Sequence, residues 1–178
     1  MKSDAFIGAV YAGVLAAIVS SVVQLGPILI GVQTISIVVV AAGIFLPIGQ
    51  IFTPLGIILG IIGHLIIGAI WGIVLYAIFY IFGLDKSVQK GLLLGIFIWF
   101  FGTEMMRWNT TNYIIWGDIE QVWKLIHDMI FGTLLGYLVP QLAMQGASKA
   151  YPSGLLERNL IQPAYKPTPE SDGNKNDT

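Results

Sequence analysis

Between Ala5 and Tyr80 the chain carries no aspartate, glutamate, lysine or arginine, and one histidine, His64. A water-soluble fold cannot cover its surface with so long an uncharged stretch, because charged side chains must clothe it throughout. The rest of the composition agrees. Of 178 residues, 56% are hydrophobic and 11% charged, against about 25% charged in an ordinary soluble domain. This excludes a soluble globular protein. A net charge of −1 also excludes a nucleic-acid binder, which needs a basic face. The chain has no cysteine, hence no disulfide framework, thiolate nucleophile, iron–sulfur cluster or cysteine zinc site. The class that remains is an all-α polytopic transmembrane helix bundle.

A spanning helix needs about 20 mostly apolar residues at about 1.5 Å rise each. Ala5–Leu25, Leu55–Phe82, Leu92–Met106 with its flanks from Lys90 to Trp108, and Val122–Val139 satisfy this. Pro140 stands where the last of them is expected to stop. Between Pro27 and Pro54 the cleanest apolar run, Ile35–Leu46, has 12 residues, the length of a re-entrant or interfacial piece. The expectation is therefore four spans with residues 30–53 partly inserted. The alternative is five spans, with Ile28–Leu46 crossing at the cost of including Gln33 and Thr34. The first apolar stretch is long enough to span and does not read as a cleaved signal.

With four spans, positive charges sort to one side. Lys2, Lys86, Lys90, Lys149, Arg158, Lys166 and Lys175 lie inside and Arg107 and Lys124 outside, which places both termini in the cytoplasm. The five-span version moves Lys2 outside and weakens the bias. Residues 1–145 form the membrane domain. Residues 146–178 are rich in Ser, Pro, Asn, Lys, Glu and Asp and read as a disordered cytoplasmic tail, too polar to offset the entropy of ordering. Asn109-Thr110-Thr111 matches a glycosylation sequon, best taken as chance, since nothing points to a eukaryotic secretory route.

The 21 glycines recur at intervals of four. Span one reads Ala5, Ala9, Gly13, Ala17, Ser21; the long span reads Gly56, Gly60, His64, Gly68, Gly72, Tyr76. Gly91 and Gly95 begin a third stripe, and Asp128, Gly132 and Gly136 form a fourth. Residues four apart share a helix face, and in lipid small residues at this spacing let backbones approach closely. Gly60, Gly68, Gly72, Gly132 and Gly136 are accordingly expected at helix contacts. A stripe left unmatched would serve a homo-oligomer or another membrane-complex partner.

Ionisable residues inside spans are costly and are functional candidates by default. Glu104 and Arg107, three apart near a helix end, read as a local ion pair. Glu120, Lys124 and Asp128, spaced by four, read as a boundary ladder whose last member continues into the Gly132–Gly136 stripe. His64 lies on the long glycine stripe, and His127 adjoins Asp128, which can orient its ring. His64, His127 and Asp128 are thus the candidate intramembrane site, with both histidines in the outer half of the bilayer. Either they share a proton site or a b-type haem, or they are unrelated histidines satisfied by neighbouring groups. No hydrolase, zinc-protease or phosphate-loop motif is present, so no enzyme activity, resident cofactor or metal is expected.

The segment GIIGHLIIGAIWGIVLYAIFYIFGLDKSVQKGLLLGIFIWFF, followed by VWKLIHDMIFGTLLGYLVP, resembles small bacterial membrane proteins of the YagU-like and YqhR-like kind. The likeness covers about residues 54–140. It rests on His64, Gly68 and Gly72, on Lys90, Gly91 and Gly95, and on His127 and Gly132. Leu125 and Ile126 precede His127, where these families often carry an acidic residue and glycine. The resemblance implies four spans in a bacterial cytoplasmic membrane and no established reaction. Three functional classes follow. One is a non-enzymatic membrane protein serving envelope homeostasis or linked to a proton or ion. The others are a redox subunit holding b-type haem through two histidines, and a small-molecule binding or transport subunit.

Overall fold

The computed structural model describes residues 4–29, 31, 36–110 and 118–144, without the side chains at 4, 25, 28, 103–110, 118 and 120. The 146–178 tail, the sequon, and the Glu104, Arg107 and Glu120 side chains therefore lie outside the described residues. All regular structure among the described residues is helical. The elements are α1 (Asp4–Val23), α2 (Leu25–Leu29), α3 (Ile37–Ala42), a 3₁₀ turn (Ile48–Gln50), α4 (Pro54–Phe82), α5 (Ser87–Thr110), α6 (Asp118–Val139) and a π-helical turn (Pro140–Met144).

Among the described residues three stretches are long and apolar enough to cross a membrane: Ala5–Val23, Pro54–Phe82 and Gln121–Met144. The apolar helical stretch in α5, Ser87–Gly102, is shorter. What surrounds these helices follows from which residues they bury. Ala9, Ala12, Ala16 and Ala17 are completely buried, while Leu15, Ile66, Ile70 and Phe100 are 44–56% exposed. Small residues inside and large aliphatics outside invert the order of a water-soluble core. In hydrocarbon that inversion is favourable, because outward leucine and isoleucine are solvated by lipid and inward alanine and glycine bring backbones together. The fold is an all-helical bundle whose burial pattern and three long apolar helices are consistent with a membrane protein.

The helix ends follow from local chemistry. Thr53 caps α4, its hydroxyl accepting from the Gly56 N–H, and Pro54 takes the first helical position, where its missing N–H costs nothing. At the other end Gly83 adopts φ 76°, a left-handed conformation that glycine enters without penalty. Lys90 reaches back from α5, and its Nζ donates to the carbonyls of Phe82 and Gly83, each at 2.8 Å. The ammonium thus satisfies two carbonyls at the end of α4 and complements its dipole. Lys90→Ala is expected to lower stability by about 1 kcal/mol, measured as thermal unfolding in detergent, with Lys86→Ala as the exposed control.

Pro140 does not end the last helix as the sequence led us to expect. The chain continues through a π-helical turn to Met144. Proline removes one N–H and clashes with the carbonyl four residues back, and a wider turn relieves both. The extension buries Ala143, where the Leu142 carbonyl closes on Gly8 of α1.

The helices pack in the order α5, α6, α1, α4, with α3 laid on α4. α5 meets α4 over only a small area. Each seam rests on small residues. A β-carbon at Gly72 would strike the Ala9 carbonyl, and one at Gly68 would lie 2.7 Å from Ala17 Cβ. Gly132 meets the Gly91 carbonyl and Gly136 the Ser87 carbonyl. The α4 stripe is divided between two partners, for Gly60 seats the Val38 carbonyl of α3 and Gly56 the carbonyls of Gln50 and Ile51. Between Gln24 and Pro54 the described helices are short, five residues in α2 and six in α3. Polar side chains complete the start of α3. The Gln24 side-chain oxygen accepts from the Ile37 N–H at 2.8 Å, and Ser36 Oγ accepts from Val38 N–H at 3.3 Å.

Candidate intramembrane polar site

His64 lies ten residues into α4, roughly 15 Å along the helix, on the face that α1 covers. Its register follows from the glycine stripe, since the residues that admit α1 also point His64 at it. Nε2 of His64 is 3.0 Å from Ser21 Oγ and 3.3 Å from the Ala17 carbonyl. The Ser21 hydroxyl itself donates to the Ala17 carbonyl at 2.8 Å. A carbonyl can only accept, so this arrangement suits a neutral imidazole with its proton on Nε2. Nδ1 is then the lone-pair nitrogen.

α6 supplies the remaining groups from consecutive turns of one face. Nδ1 of His127 lies 2.9 Å from Asp128 Oδ1, and Lys124 Nζ lies 2.6 Å from Asp128 Oδ2. The carboxylate is therefore bridged, one oxygen orienting an imidazole and the other holding an ammonium. All three are deeply buried: Lys124 is 6% exposed, His127 3% and Asp128 3%. The Lys124–Asp128 contact of the expected ladder is thus present, and it is buried inside the bundle. α5 packs directly on this turn, where Trp99 Nε1 donates to the Gln121 carbonyl and Gly95 seats the Asp128 carbonyl, and α3 and α4 face it across the cavity, so its lysine pairs inward with the carboxylate four residues on.

The two histidines, on helices that are not neighbours in sequence, stand with ring centroids 6.1 Å apart and planes tilted by 45°. Because Asp128 accepts from Nδ1 of His127, the neutral tautomer leaves Nε2 as a lone pair. That Nε2 is buried and has no hydrogen-bond partner. Native structures satisfy nearly all such groups, and an orphan marks a functional position or an absent ligand. Beside it is a cavity of about 110 Å³ lined by all four ionisable side chains, His64, Lys124, His127 and Asp128. Its remaining walls are apolar and include Trp71, Ile98 and Phe131. Gly68 and Gly102 also line it, and a β-carbon at Gly102 would meet nothing within 4 Å.

The structure thus brings His64, His127 and Asp128 into one cluster. The glycines singled out with them stand apart, at helix seams, except where Gly68 borders the cavity. Sequence reasoning left three contributors out of the site: Ser21, placed only in the small-residue stripe of span one, Lys124, placed in the ladder, and Trp71. Ser21 had a usable signal, its place on the Ala9–Gly13–Ala17 stripe. Among the described residues no group of three or more His, Asp or Glu side chains is arranged to hold a metal ion. No family model matches the chain, and neither a curated protein nor a solved structure matches it significantly.

Proposed function

We propose that this chain is a non-enzymatic, multi-pass protein of a bacterial cytoplasmic membrane whose His64–His127–Asp128 cluster takes up and releases a proton. On this reading α5 is the fourth span, residues 30–53 are partly inserted, and the tail is cytoplasmic. The observation that carries it is the unpartnered Nε2 of His127, buried in a ring whose other nitrogen is held by a carboxylate. Imidazole is the side chain whose charge changes near neutral pH, and ionisable residues at membrane depth mark proton or ion pathways. Asp128 fixes the tautomer so that Nε2 receives the proton, and it stabilises the imidazolium that forms. Lys124 holds the other oxygen of the same carboxylate. His64, one ring away, is the next acceptor, reached by ring rotation or through a water in the cavity.

The haem alternative fits these distances less well. A macrocycle between the rings needs a slot far larger than a cavity of about 110 Å³, and Nε2 of His64 is turned toward α1. A small-molecule subunit would be confined to very small solutes, since about 150 Å³ is the size of a benzene-holding cavity. The loose YagU-like and YqhR-like likeness is compatible with a proton-linked membrane protein.

The chain has two histidines, so histidine-selective ¹⁵N labelling yields two rings, assigned by comparison with His64→Gln. In bilayers, with sodium gluconate as the salt, the His127 ring is expected to pass from the neutral to the protonated pattern as the pH is lowered while the protein stays folded. A ring that keeps one pattern throughout would overturn the proton site.

A further inference from the structure

The proton reading raises a question of charge. Facing the cavity, α6 contributes Lys124 and Asp128, one charge of each sign, and α4 contributes His64. α3 contributes Ile37 and Ala41, and α5 contributes Ile98 and Gly102, none of them charged. α1 touches His64 through Ser21, and no Asp, Glu, Lys or Arg occurs from Ala5 to Tyr80. Glu104, Arg107 and Glu120 have side chains outside the described residues. With both histidines neutral the described cluster is electroneutral. A proton on His127 leaves it with one uncompensated positive charge at membrane depth, which is costly to bury.

We infer that the proton enters together with a small, weakly hydrated monovalent anion, which occupies the cavity beside His127. This rests on the proton-site reading above and names what the site takes with the proton. Three observations select an anion. The cavity, at about 110 Å³, admits an ion of halide or nitrate size after dehydration. Its donors are cationic: the Lys124 ammonium has three N–H groups, with Asp128 the protein partner seen for Nζ, and the protonated His127 adds Nε2–H. Its other walls, Trp71, Ile67, Ile98 and Phe131, are apolar and favour an ion that sheds water cheaply. A cation is disfavoured because the Lys124 ammonium borders the same space. The balance is simple: one proton from water joins the Nε2 lone pair, one anion enters, and the net charge of the cluster returns to zero.

The test uses full-length protein in lipid nanodiscs at about pH 6.5, near the ordinary histidine value. Sodium gluconate is replaced by sodium nitrate or sodium chloride at constant ionic strength. A pH indicator in weak buffer follows protons, and histidine ¹⁵N spectra follow the rings. The expected result is uptake of up to one proton per chain with nitrate. It is accompanied by growth of the protonated His127 signal, about tenfold in the protonated-to-neutral ratio once nitrate exceeds its dissociation constant tenfold. Lys124→Gln/Asp128→Asn, which removes both charges together, should lose the nitrate response. Identical spectra and no proton uptake in gluconate, chloride and nitrate would overturn anion co-binding. If His127 still titrates in gluconate, the proton site survives that result; if it never titrates, both readings fall. A nitrate response that persists unchanged in the double variant also overturns the inference, because the anion then binds elsewhere.

Discussion

Asp128→Ala is expected to destabilise the folded chain by about 3–5 kcal/mol, the usual cost of leaving one member of a buried ion pair unpaired. The carboxylate holds Lys124 Nζ at 2.6 Å and His127 Nδ1 at 2.9 Å, with the Lys124 and Asp128 side chains 7% and 5% exposed. Removing it strands an ammonium and an N–H in a setting where no other described acceptor bonds to them. Lys124→Met should cost a similar amount by stranding the carboxylate. The double variant Lys124→Met/Asp128→Leu should recover much of the loss, since a buried pair replaced by apolar groups is often neutral or better. The measurement is a double-mutant cycle by chemical or thermal unfolding in one detergent. Single variants that each lose under about 0.5 kcal/mol would mean that the pair is worth no more than an exposed one and that water reaches it freely.

Gly72→Leu and Gly132→Leu should impair folding outright, and Gly72→Ala should already be harmful. Overpacking a core typically costs about 1–3 kcal/mol when side chains can shift. Here the obstacles are backbone: the Ala9 carbonyl over Gly72, and over Gly132 the Gly91 carbonyl with Gly95 Cα at 2.7 Å. Relief requires a whole helix to move, opening the α1–α4 seam in one case and the α5–α6 seam in the other. Gly49→Ala serves as the control, because nothing lies within 4 Å of a β-carbon there. Monodisperse yield after size-exclusion chromatography and the unfolding midpoint both read the effect. Wild-type values for Gly72→Ala would show that the seam yields easily, contrary to the close backbone approach.

The class of the molecule was legible in the sequence because it follows from one-dimensional quantities. Run length bounds helix length, and the missing charge from Ala5 to Tyr80 suits the chain to hydrocarbon. Spacing of four is a property of one helix, so the faces carrying Gly68, Gly72, Gly132 and Gly136 were readable too. His64 and His127 were readable as costly residues in apolar runs, and Asp128 as the neighbour able to orient a ring. A small-residue stripe, however, carries no address. That Gly56 and Gly60 receive the 38–51 segment while Gly68 and Gly72 receive α1 depends on how several apolar surfaces share the available contacts. The inward pairing of Lys124 has the same origin, since its spacing from Asp128 is equally compatible with an exposed ladder, and only burial by neighbouring helices separates the two. Pro140 forbids an ordinary α-helical turn, and whether the chain then stops or widens into a π turn is decided by the contact Ala143 and Leu142 make with Gly8. The sequence therefore determined the apolar character of the helices, their lengths and the faces they present. The tertiary structure decided which faces meet, and so brought the orphaned nitrogen of His127 beside a cavity, because pairing among chemically similar surfaces is a property of the whole packing and of no single segment.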